Sequence, residues 1–416
     1  MSDAYKTKSS DARIREETLR NARAHLFPGR ISAFEKVGLS LVIGRAEDYR
    51  FWDVDGREFL DLDLVGGLYN LGHRNPDLVK VVREVMEHSD MGQPFFPGVA
   101  QADLAARLAQ SSNLQYTVFT PGGTEANDIA IRSARRHTGR RKVVSCGTGY
   151  HGAAGLAGAA GNAATANSFL SDYPGEFVNV TVNDLTELES ALTHGDVAAL
   201  VLEPATNASG YPDMSPGYFE NARKLCDKHG TVLIMDEVVT GLGRTGHLWG
   251  FQKLEIQPDV LVIGKGLSGG LYPIGAAVLS KDVGSWLEVE LFGYGASFAG
   301  SEIGCALAAA VFEKCSSRDT LNRINQTATY FLDGLKKIQS RHDKVRHIRK
   351  FGALFGLEMR EGISNFELMS ALFSQGVFAN IAGYTESVVN LKPGLLADES
   401  FCDEALERID RAVSGL

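Results

Sequence analysis

Three continuous apolar runs in the middle of the chain each lead to a charged residue. They precede Glu203, Asp236 and, after one glycine, Lys265, and they lie within residues 198–202, 231–235 and 259–263. Runs of this length and composition predict parallel strands that are covered on both faces. The carboxyl ends of such strands meet at the edge where open α/β sheets bind ligands. Because a lone buried charge is strongly unfavourable, the pattern predicts a charged binding site at that edge.

The remaining pattern predicts an α/β fold with a doubly wound, mostly parallel sheet. From about Asn75 to Ala306, helical segments alternate with buried strands, which is the arrangement that builds such sheets. Short antiparallel strands with an Asp55-Gly56 hairpin turn precede this region, and an α+β unit follows it. The clearest predicted helices are residues 103–109, 125 onward and 306–315. The other predicted strands are residues 39–42, 49–53, 58–61, 116–120, 142–145, 354–359 and 387–391.

This order of elements predicts two domains. Residues 66–308 form the large ligand-binding domain. Residues 1–65, which begin with a helical arm of about 30 residues, join residues 309–416 in a smaller α+β domain made of both termini. A tract of small residues at 151–168 fits either a mobile lid or a glycine-alanine turn structure beside the site.

Composition narrows the function class. The 416 residues carry a net charge of -9, which argues against a nucleic-acid partner. The sequence shows no apolar stretch long enough to span a membrane and no apolar secretory segment near its N-terminus. The five cysteines are scattered without metal-ligand spacing, so we expect a reducing cytoplasm and no metal site.

Two further segments add candidate chemistry at the same sheet edge. Gly122-Gly123-Thr124 joins a strand to a helix, where backbone N–H groups can approach an anion and the helix N-terminus favours negative charge. Tyr150-His151 follows the next strand and brings an aromatic ring close by. Each segment alone also fits an ordinary capped turn or a packing tyrosine.

Taken together and in this order, Gly-Gly-Thr, Tyr-His-Gly, Asp-Glu-Val and Gly-Lys-Gly resemble the class III (ω-type) pyridoxal-phosphate aminotransferases of fold type I. The resemblance runs from about Ile43 to Leu395 and includes the interval of 29 positions from Asp236 to Lys265. It implies a seven-stranded-type sheet in the large domain and pyridoxal 5′-phosphate as cofactor. Residues 27–34 (FPGRISAF) are also similar to the entry segment of glutamate-1-semialdehyde aminomutases and β-amino-acid aminotransferases.

The resemblance assigns a role to each matching residue. Lys265 is expected to form the internal Schiff base and to shuttle the proton, and Asp236 to pair with the pyridinium nitrogen. Ser297 matches a position that reaches the phosphate of the neighbouring subunit, which implies a homodimer with shared sites. The remaining expected cofactor-binding residues are Gly123 and Thr124 at the phosphate, Tyr150 on the ring face, and His151, Glu203 and Val239.

Four departures from the family pattern concern the substrate. Val239 replaces a frequent glutamine, Gly122 replaces a frequent serine, and Ala208 stands where ornithine and 4-aminobutyrate aminotransferases have an acidic gate. Asn390 aligns with their carboxylate-binding arginine. An amide has neither the positive charge nor the paired N–H donors with which a guanidinium binds a carboxylate. The cations that could bind a substrate carboxylate instead are Arg30 and Lys392, although both also fit exposed surface positions. We therefore do not assume 2-oxoglutarate as acceptor.

The sequence predicts an aminotransferase that moves an amino group between an amine or amino acid and a keto or aldehyde acceptor. Aminomutase, racemase or decarboxylase chemistry on the same cofactor is the main alternative. Residues 241–246 also match the G-x-G-x-x-G dinucleotide pattern, which keeps a nicotinamide-dependent oxidoreductase as a remote alternative. A non-catalytic scaffold would need neither Lys265 nor Asp236.

Overall fold

A computed structural model of the chain describes residues 11–92, 95–167, 175–291 and 293–416. Residues 1–10 of the predicted helical arm and Ser168 of the small-residue tract lie outside the described residues. The helices are α1 (Asp11–His25), α2 (Pro28–Lys36), α3 (Leu64–Gly67), α4 (Pro76–Met86), α5 (Val99–Ser112), α6 (Gly123–Thr138), α7 (Gly155–Ala160), α8 (Ala163–Asn167), α9 (Leu185–Leu192), α10 (Tyr218–His229), α11 (Gly250–Lys253), α12 (Glu302–Ser316), α13 (Arg318–Arg341), α14 (Asn365–Ser374) and α15 (Glu399–Ser414). The strands are β1 (Ile43–Glu47), β2 (Arg50–Asp53), β3 (Glu58–Asp61), β4 (Tyr116–Thr120), β5 (Lys142–Cys146), β6 (Phe177–Val180), β7 (Val197–Leu202), β8 (Val232–Asp236), β9 (Val260–Ile263), β10 (Gly275–Leu279), β11 (Val345–Phe351), β12 (Leu354–Met359), β13 (Val377–Phe378), β14 (Asn380–Ile381) and β15 (Val388–Leu391).

The central sheet has the order β4-β10-β9-β8-β7-β5-β6 among the described residues, and β10 runs antiparallel to both of its neighbours. The other pairs are parallel. Alternate residues of β8 pack into different hydrophobic clusters: Leu233 and Met235 into one, and Ile234 into the other. Both faces are therefore covered, which explains the continuous apolar runs. The predicted fold class is confirmed.

Segments from both ends of the chain form two smaller sheets with a common core. Their orders are β1-β2-β3-β13 and β11-β12-β15-β14, and Phe59, Phe331, Phe355 and Phe401 share one hydrophobic cluster. The short strand β13 pairs in parallel with β3 and so ties the C-terminal segment to the N-terminal one. This packing supports the predicted domain division, whose boundaries stay a prediction.

Two local predictions need comment. The strand predicted at residues 39–42 is wrong, because Leu39 closes the end of α2 through its N–H bond to the carbonyl of Phe34 at 2.8 Å, and the strand begins only at Ile43. The small-residue tract forms α7 and α8, and its Ala157 N–H donates to Asp128 Oδ1 of α6 at 2.9 Å. The described part of the tract is therefore two short helices, and its role as a lid stays a prediction.

Global properties of the described residues agree with the composition. None of their helices is long and apolar enough to cross a membrane. Cys146, Cys226, Cys305, Cys315 and Cys402 are all buried free thiols, and burial raises the pKa of Cys146 and Cys226 to about 12. Such thiols pack as small apolar side chains rather than as reactive groups.

Candidate active site

The carboxyl ends of the adjacent strands β7, β8 and β9 bring three charged residues to one edge of the central sheet. Glu203 directly follows β7, Asp236 ends β8, and Lys265 follows β9 after one glycine. Burial lowers the pKa of Lys265 below its ordinary value, although the charges of Asp236 and Glu203 favour the protonated amine. The sheet edge therefore holds an amine that loses its proton more readily than an exposed lysine does.

The carboxylate of Asp236 is held from three directions. Its Oδ2 accepts a hydrogen bond from Asn127 Nδ2 at 2.9 Å and lies 2.8 Å from His151 Nδ1. Its Oδ1 accepts from the N–H of Val238 at 3.1 Å. Asn127 Nδ2 also donates to the carbonyls of His151 and Gly123, at 2.9 and 3.2 Å. These contacts fix the direction in which the buried carboxylate points.

His151 and Glu203 complete a buried charged group behind this carboxylate. Burial by itself lowers the pKa of His151, but the hydrogen bond and charge of Asp236 outweigh it and raise that pKa. Burial, together with the charge of Asp236, raises the pKa of Glu203 to about 7. Glu203 Oε1 accepts from the N–H of Tyr150 at 3.0 Å, and its Oε2 lies 3.5 Å from the N–H of Asn207. Glu203 thus tethers backbone beside the site.

The start of α6 fits an anion such as a phosphate. Gly122 is its N-cap and brings no side chain that could cap this end of the 16-residue helix. A methyl group added to Gly123 would lie 2.8 Å from Val238 Cγ2, and one added to Gly264 would lie 3.1 Å from Gly123 Cα. These close approaches place the helix N-terminus beside the residue that precedes Lys265. Free N–H groups and the helix dipole at this end are the donors that a phosphate requires.

Apolar and aromatic groups are available for a flat ring. Val239 is buried in a small cluster with Ala205, Tyr211 and Leu354. The side chain of Tyr150 is 48% exposed, with its backbone fixed by Glu203. The residues present therefore fit pyridoxal 5′-phosphate: an amine, a fixed carboxylate, an uncapped helix N-terminus and an accessible aromatic ring.

Lys265 itself has a strained backbone. Its φ of 37° lies in the left-handed region, at the start of a 3-10 turn over Lys265–Ser268. Strain of this kind persists only where the surroundings hold it, and it is concentrated at functional sites. A methyl group added to Gly66 would lie 3.0 Å from Cε of the lysine, so the backbone at Gly66 lies directly against its aliphatic chain.

The remaining candidates are Ser297, Arg30 and Lys392, and the structure places each of them differently. Ser297 is exposed, in keeping with a contact to another subunit. Arg30 is exposed on α2, with its guanidinium 4.5 Å from the ring centre of Phe27. Lys392 is 1% exposed, and its Nζ lies 2.8 Å from Asp63 Oδ1. The surface alternative for Lys392 is therefore wrong. Its charge has a buried partner, and the binding of a substrate carboxylate by Arg30 or Lys392 stays a prediction.

Sequence reasoning missed two residues that shape the site. Asn127 lies one turn after Gly123 on α6, so its helical spacing could have indicated that it faces the same edge. Glu237 follows Asp236 and accepts from the N–H groups of Gly250 and Phe251, at 2.5 and 2.7 Å. Burial raises the pKa of Glu237 to about 7. No local sequence signal distinguishes Glu237, which caps the start of α11, from Asp236 beside it.

The G-x-G-x-x-G segment is a packed loop. A side chain on Gly243 would meet Ile324, and one on Gly246 would collide with Asn325, both from α13. The Asn325 side chain also donates to the carbonyl of Gly246 at 3.0 Å. Because α13 fills the space that a pyrophosphate would need, this segment does not support the oxidoreductase alternative.

Comparisons with known proteins agree with the site. Residues 31–413 match the family model described as Aminotransferase class-III. A protein described as an uncharacterized aminotransferase of Archaeoglobus fulgidus is 36% identical over 391 residues, which cover 94% of this chain and 92% of that protein. Acetylornithine aminotransferase of Pseudomonas putida is 31% identical over 382 residues, covering 89% and 92%.

Solved structures give the same picture. Ornithine aminotransferase from Toxoplasma gondii superposes with a TM-score of 0.88 at 24% identity, covering 99% of this chain and 97% of that one. Taurine:2-oxoglutarate aminotransferase from Bifidobacterium kashiwanohense, solved in complex with PLP and glutamate, gives a TM-score of 0.86 at 25% identity, covering 96% and 97%. The first of these likenesses supports the fold alone.

Proposed function

Because this chain belongs to the class-III aminotransferase family and so is a transaminase that uses pyridoxal 5′-phosphate, we propose that Lys265 is its covalent anchor and catalytic base and that Asp236 faces the ring nitrogen of the cofactor. The observation that carries this proposal is that Lys265 and Asp236 meet at one sheet edge, where the Asp236 carboxylate is hydrogen-bonded to Asn127 and His151. The reaction transfers an amino group between an amine donor and a keto or aldehyde acceptor.

When bound, pyridoxal 5′-phosphate supplies an aldehyde that condenses with amines and a protonated ring that accepts electrons. Lys265 carries the cofactor, takes a proton from the substrate Cα and returns it, which its lowered pKa favours. Asp236 holds the proton at the ring nitrogen, while Asn127 and His151 keep its carboxylate in position. The raised pKa of His151 favours a positive charge beside that carboxylate.

The other matching residues bind rather than react. Gly123 and Thr124 hold the phosphate at the start of α6, and Tyr150 covers the ring face. Val239 lines the ring with an apolar surface. Glu203 acts through the backbone of Tyr150, which it holds at 3.0 Å.

We further propose a cytoplasmic homodimer. Phe95 and Phe96 are each 76% exposed and Phe298 is 57% exposed, a concentration of large apolar side chains that is typical of a protein–protein interface. The two segments lie together, since the N–H of Ala100 donates to Glu302 Oε1 at 2.8 Å. A second copy over this patch would cover it and would bring Ser297 to the partner's phosphate.

The named relatives are aminotransferases, which favours transamination over aminomutase, racemase or decarboxylase chemistry. The test is to reduce the loaded enzyme with borohydride and to identify the modified peptide by mass spectrometry. We expect the cofactor adduct on Lys265. Lys265→Ala should bind the cofactor without turnover, and retained amino transfer would refute the assigned role.

A single-turnover experiment separates the chemistries. The enzyme is mixed with candidate amines in the absence of an acceptor. A transaminase leaves pyridoxamine phosphate and a carbonyl product in equal amounts, whereas a racemase or a decarboxylase largely regenerates the starting form of the cofactor. A screen of amine donors against keto and aldehyde acceptors then defines the substrates.

A further inference from the structure

A left-handed turn of four residues lies against the proposed catalytic lysine. Leu64, Val65, Gly66 and Gly67 have φ values of 51°, 51°, 69° and 94°. Such a backbone is unusual for leucine and a clear outlier for a β-branched valine. The close approach of Gly66 to Cε of Lys265, at 3.0 Å from an added methyl group, means that any movement of the turn changes the space open to the lysine.

Buried charges hold this turn in its strained form. Asp61 Oδ1 accepts from the N–H groups of Asp63 and Leu64, at 3.0 and 2.7 Å. Asp63 is itself paired with Lys392 at 2.8 Å. The N–H of Lys392 donates to the carbonyl of Leu62 at 2.7 Å. Lys392, the residue after β15, thus holds the start of the turn through both its backbone and its side chain.

A buried ion pair adds little to the global stability of a protein, because desolvation of two charges offsets their attraction, but it can fix one local arrangement of the backbone. The position of the Asp63–Lys392 pair therefore needs another explanation, and its neighbourhood supplies one. Both charges act on the amine of Lys265: Lys392 favours the neutral amine and Asp63 favours the protonated one. The intact pair presents the amine with two opposed charges.

We propose that the buried Asp63–Lys392 ion pair is a positioning device for Lys265, which holds the left-handed turn against the lysine and presents two opposite charges to its amine. Asp63 and Lys392 are positioning residues that act through the turn. The proposal rests on the proposed role of Lys265. It makes the two smaller sheets, whose strands β3 and β15 precede Asp63 and Lys392, a determinant of where the catalytic amine lies.

Removing the two charges separately provides the test. Lys392→Met leaves Asp63 unopposed, Asp63→Asn leaves Lys392 unopposed, and the double variant removes both charges. Competitive labelling of the apoprotein with acetic anhydride from neutral to alkaline pH, read by mass spectrometry on the Lys265 peptide, measures the pKa of that amine. We expect the pKa to rise in Lys392→Met, to fall in Asp63→Asn and to return towards the wild-type value in the double variant.

The charges that face Lys265 from other elements stay in place in these variants. They are Asp236 and Glu203, at the ends of β8 and β7. A difference between the variants therefore reports the Asp63–Lys392 pair rather than the rest of the site. A general loss of stability does not shift one amine in opposite directions in two variants.

Hydrogen–deuterium exchange of residues 61–70 in the apoprotein reports the turn directly. We expect exchange roughly tenfold faster in all three variants, because a local opening that costs less free energy is populated more often. Lys392→Arg keeps the cation and should stay close to the wild type. Ile409→Val loosens the same hydrophobic cluster without touching the pair and controls for non-specific destabilisation.

Two results would overturn the proposal. One is a pKa shift of the same sign, or no shift, in the two single variants. The other is unchanged exchange of residues 61–70 in the double variant, which has no unpaired charge and so remains usable should a single variant fail to fold. If instead borohydride reduction traps no adduct between the cofactor and wild-type Lys265, the proposed function fails, and the labelling result still stands.

Discussion

Replacing Asn127 by aspartate places a second carboxyl group against Asp236 with almost no change of shape. In the wild type, Asn127 Nδ2 lies 2.9 Å from Asp236 Oδ2 and donates to it. Both side chains are buried, and two carboxyl groups in one such site do not both ionise at ordinary pH. Asn127→Asp therefore adds a group whose pKa is raised in the folded protein.

The size of the effect follows from the separation of the charges. With charge centres about 4 Å apart and an effective dielectric constant of about 20, the repulsion is about 4 kcal/mol, or roughly three pKa units. The introduced carboxyl should titrate near about pH 7 in the folded chain and near about pH 4 in the unfolded chain. Because its folded-state pKa is the higher one, its contribution to stability is complete below about pH 4 and is lost as the pH rises to about 7.

Urea unfolding of the apoprotein at several pH values measures this loss. Between about pH 5.5 and about pH 7, the free energy of unfolding of Asn127→Asp should fall by about 2 kcal/mol relative to the wild type. Asn179→Asp is the matched control, since Asn179 donates to Ser145 Oγ and to the carbonyl of Gly161, at 2.9 and 3.2 Å, and not to a carboxylate. A difference between variant and wild type that is constant over this range would refute the reasoning.

Two other variants probe the capping carboxylate and the dimer. Burial raises the pKa of Glu237 to about 7, so the stability that Glu237 contributes should be lost as the pH rises from about 4.5 to about 7. In urea unfolding, Glu237→Gln should therefore show a smaller loss of stability over this pH range than the wild type. An unaltered pH dependence would exclude Glu237 as its source. Phe298→Glu puts a charge into the exposed aromatic patch and should convert the dimer to monomers in light scattering, whereas Phe366→Glu, at an exposed position on α14, should not; a dimer that survives Phe298→Glu would place the interface elsewhere.

The sequence predicted five of the seven described strands of the central sheet, because each of those five carries its own signal, but it did not predict β6 and β10. Residues 232–235 of β8 and residues 260–263 of β9 are apolar without a break, since both faces of the sheet are covered. The charged residues that end these runs then locate the site, because parallel strands deliver their carboxyl ends to one edge. Lys265 and Asp236 were identifiable for this reason, before any contact between them was known.

Sequence patterns were less informative where a conformation depends on distant partners. Leu39 lies in a short apolar run that reads as a strand, yet its N–H group finds a partner in the last turn of α2. Leu64 and Val65 have no sequence feature that predicts a left-handed backbone, and valine disfavours it. Their conformation follows from hydrogen bonds to Asp61 and from the Asp63–Lys392 pair.

The Asp63–Lys392 pair shows why residues that position a catalytic group are harder to predict than residues that bind a cofactor. Its two members are 329 positions apart in the chain, and each alone has the features of an ordinary surface charge. A cofactor imposes the same chemistry on every chain that binds it, so it leaves short local patterns such as Gly-Gly-Thr before a helix. A buried ion pair requires only that two charges meet, and many pairs of positions can satisfy that requirement. The residues that position Lys265 in this chain therefore have to be found from contacts between the terminal and central segments, where Lys392 lies against Asp63 and Asn390 donates to the carbonyl of Asn207.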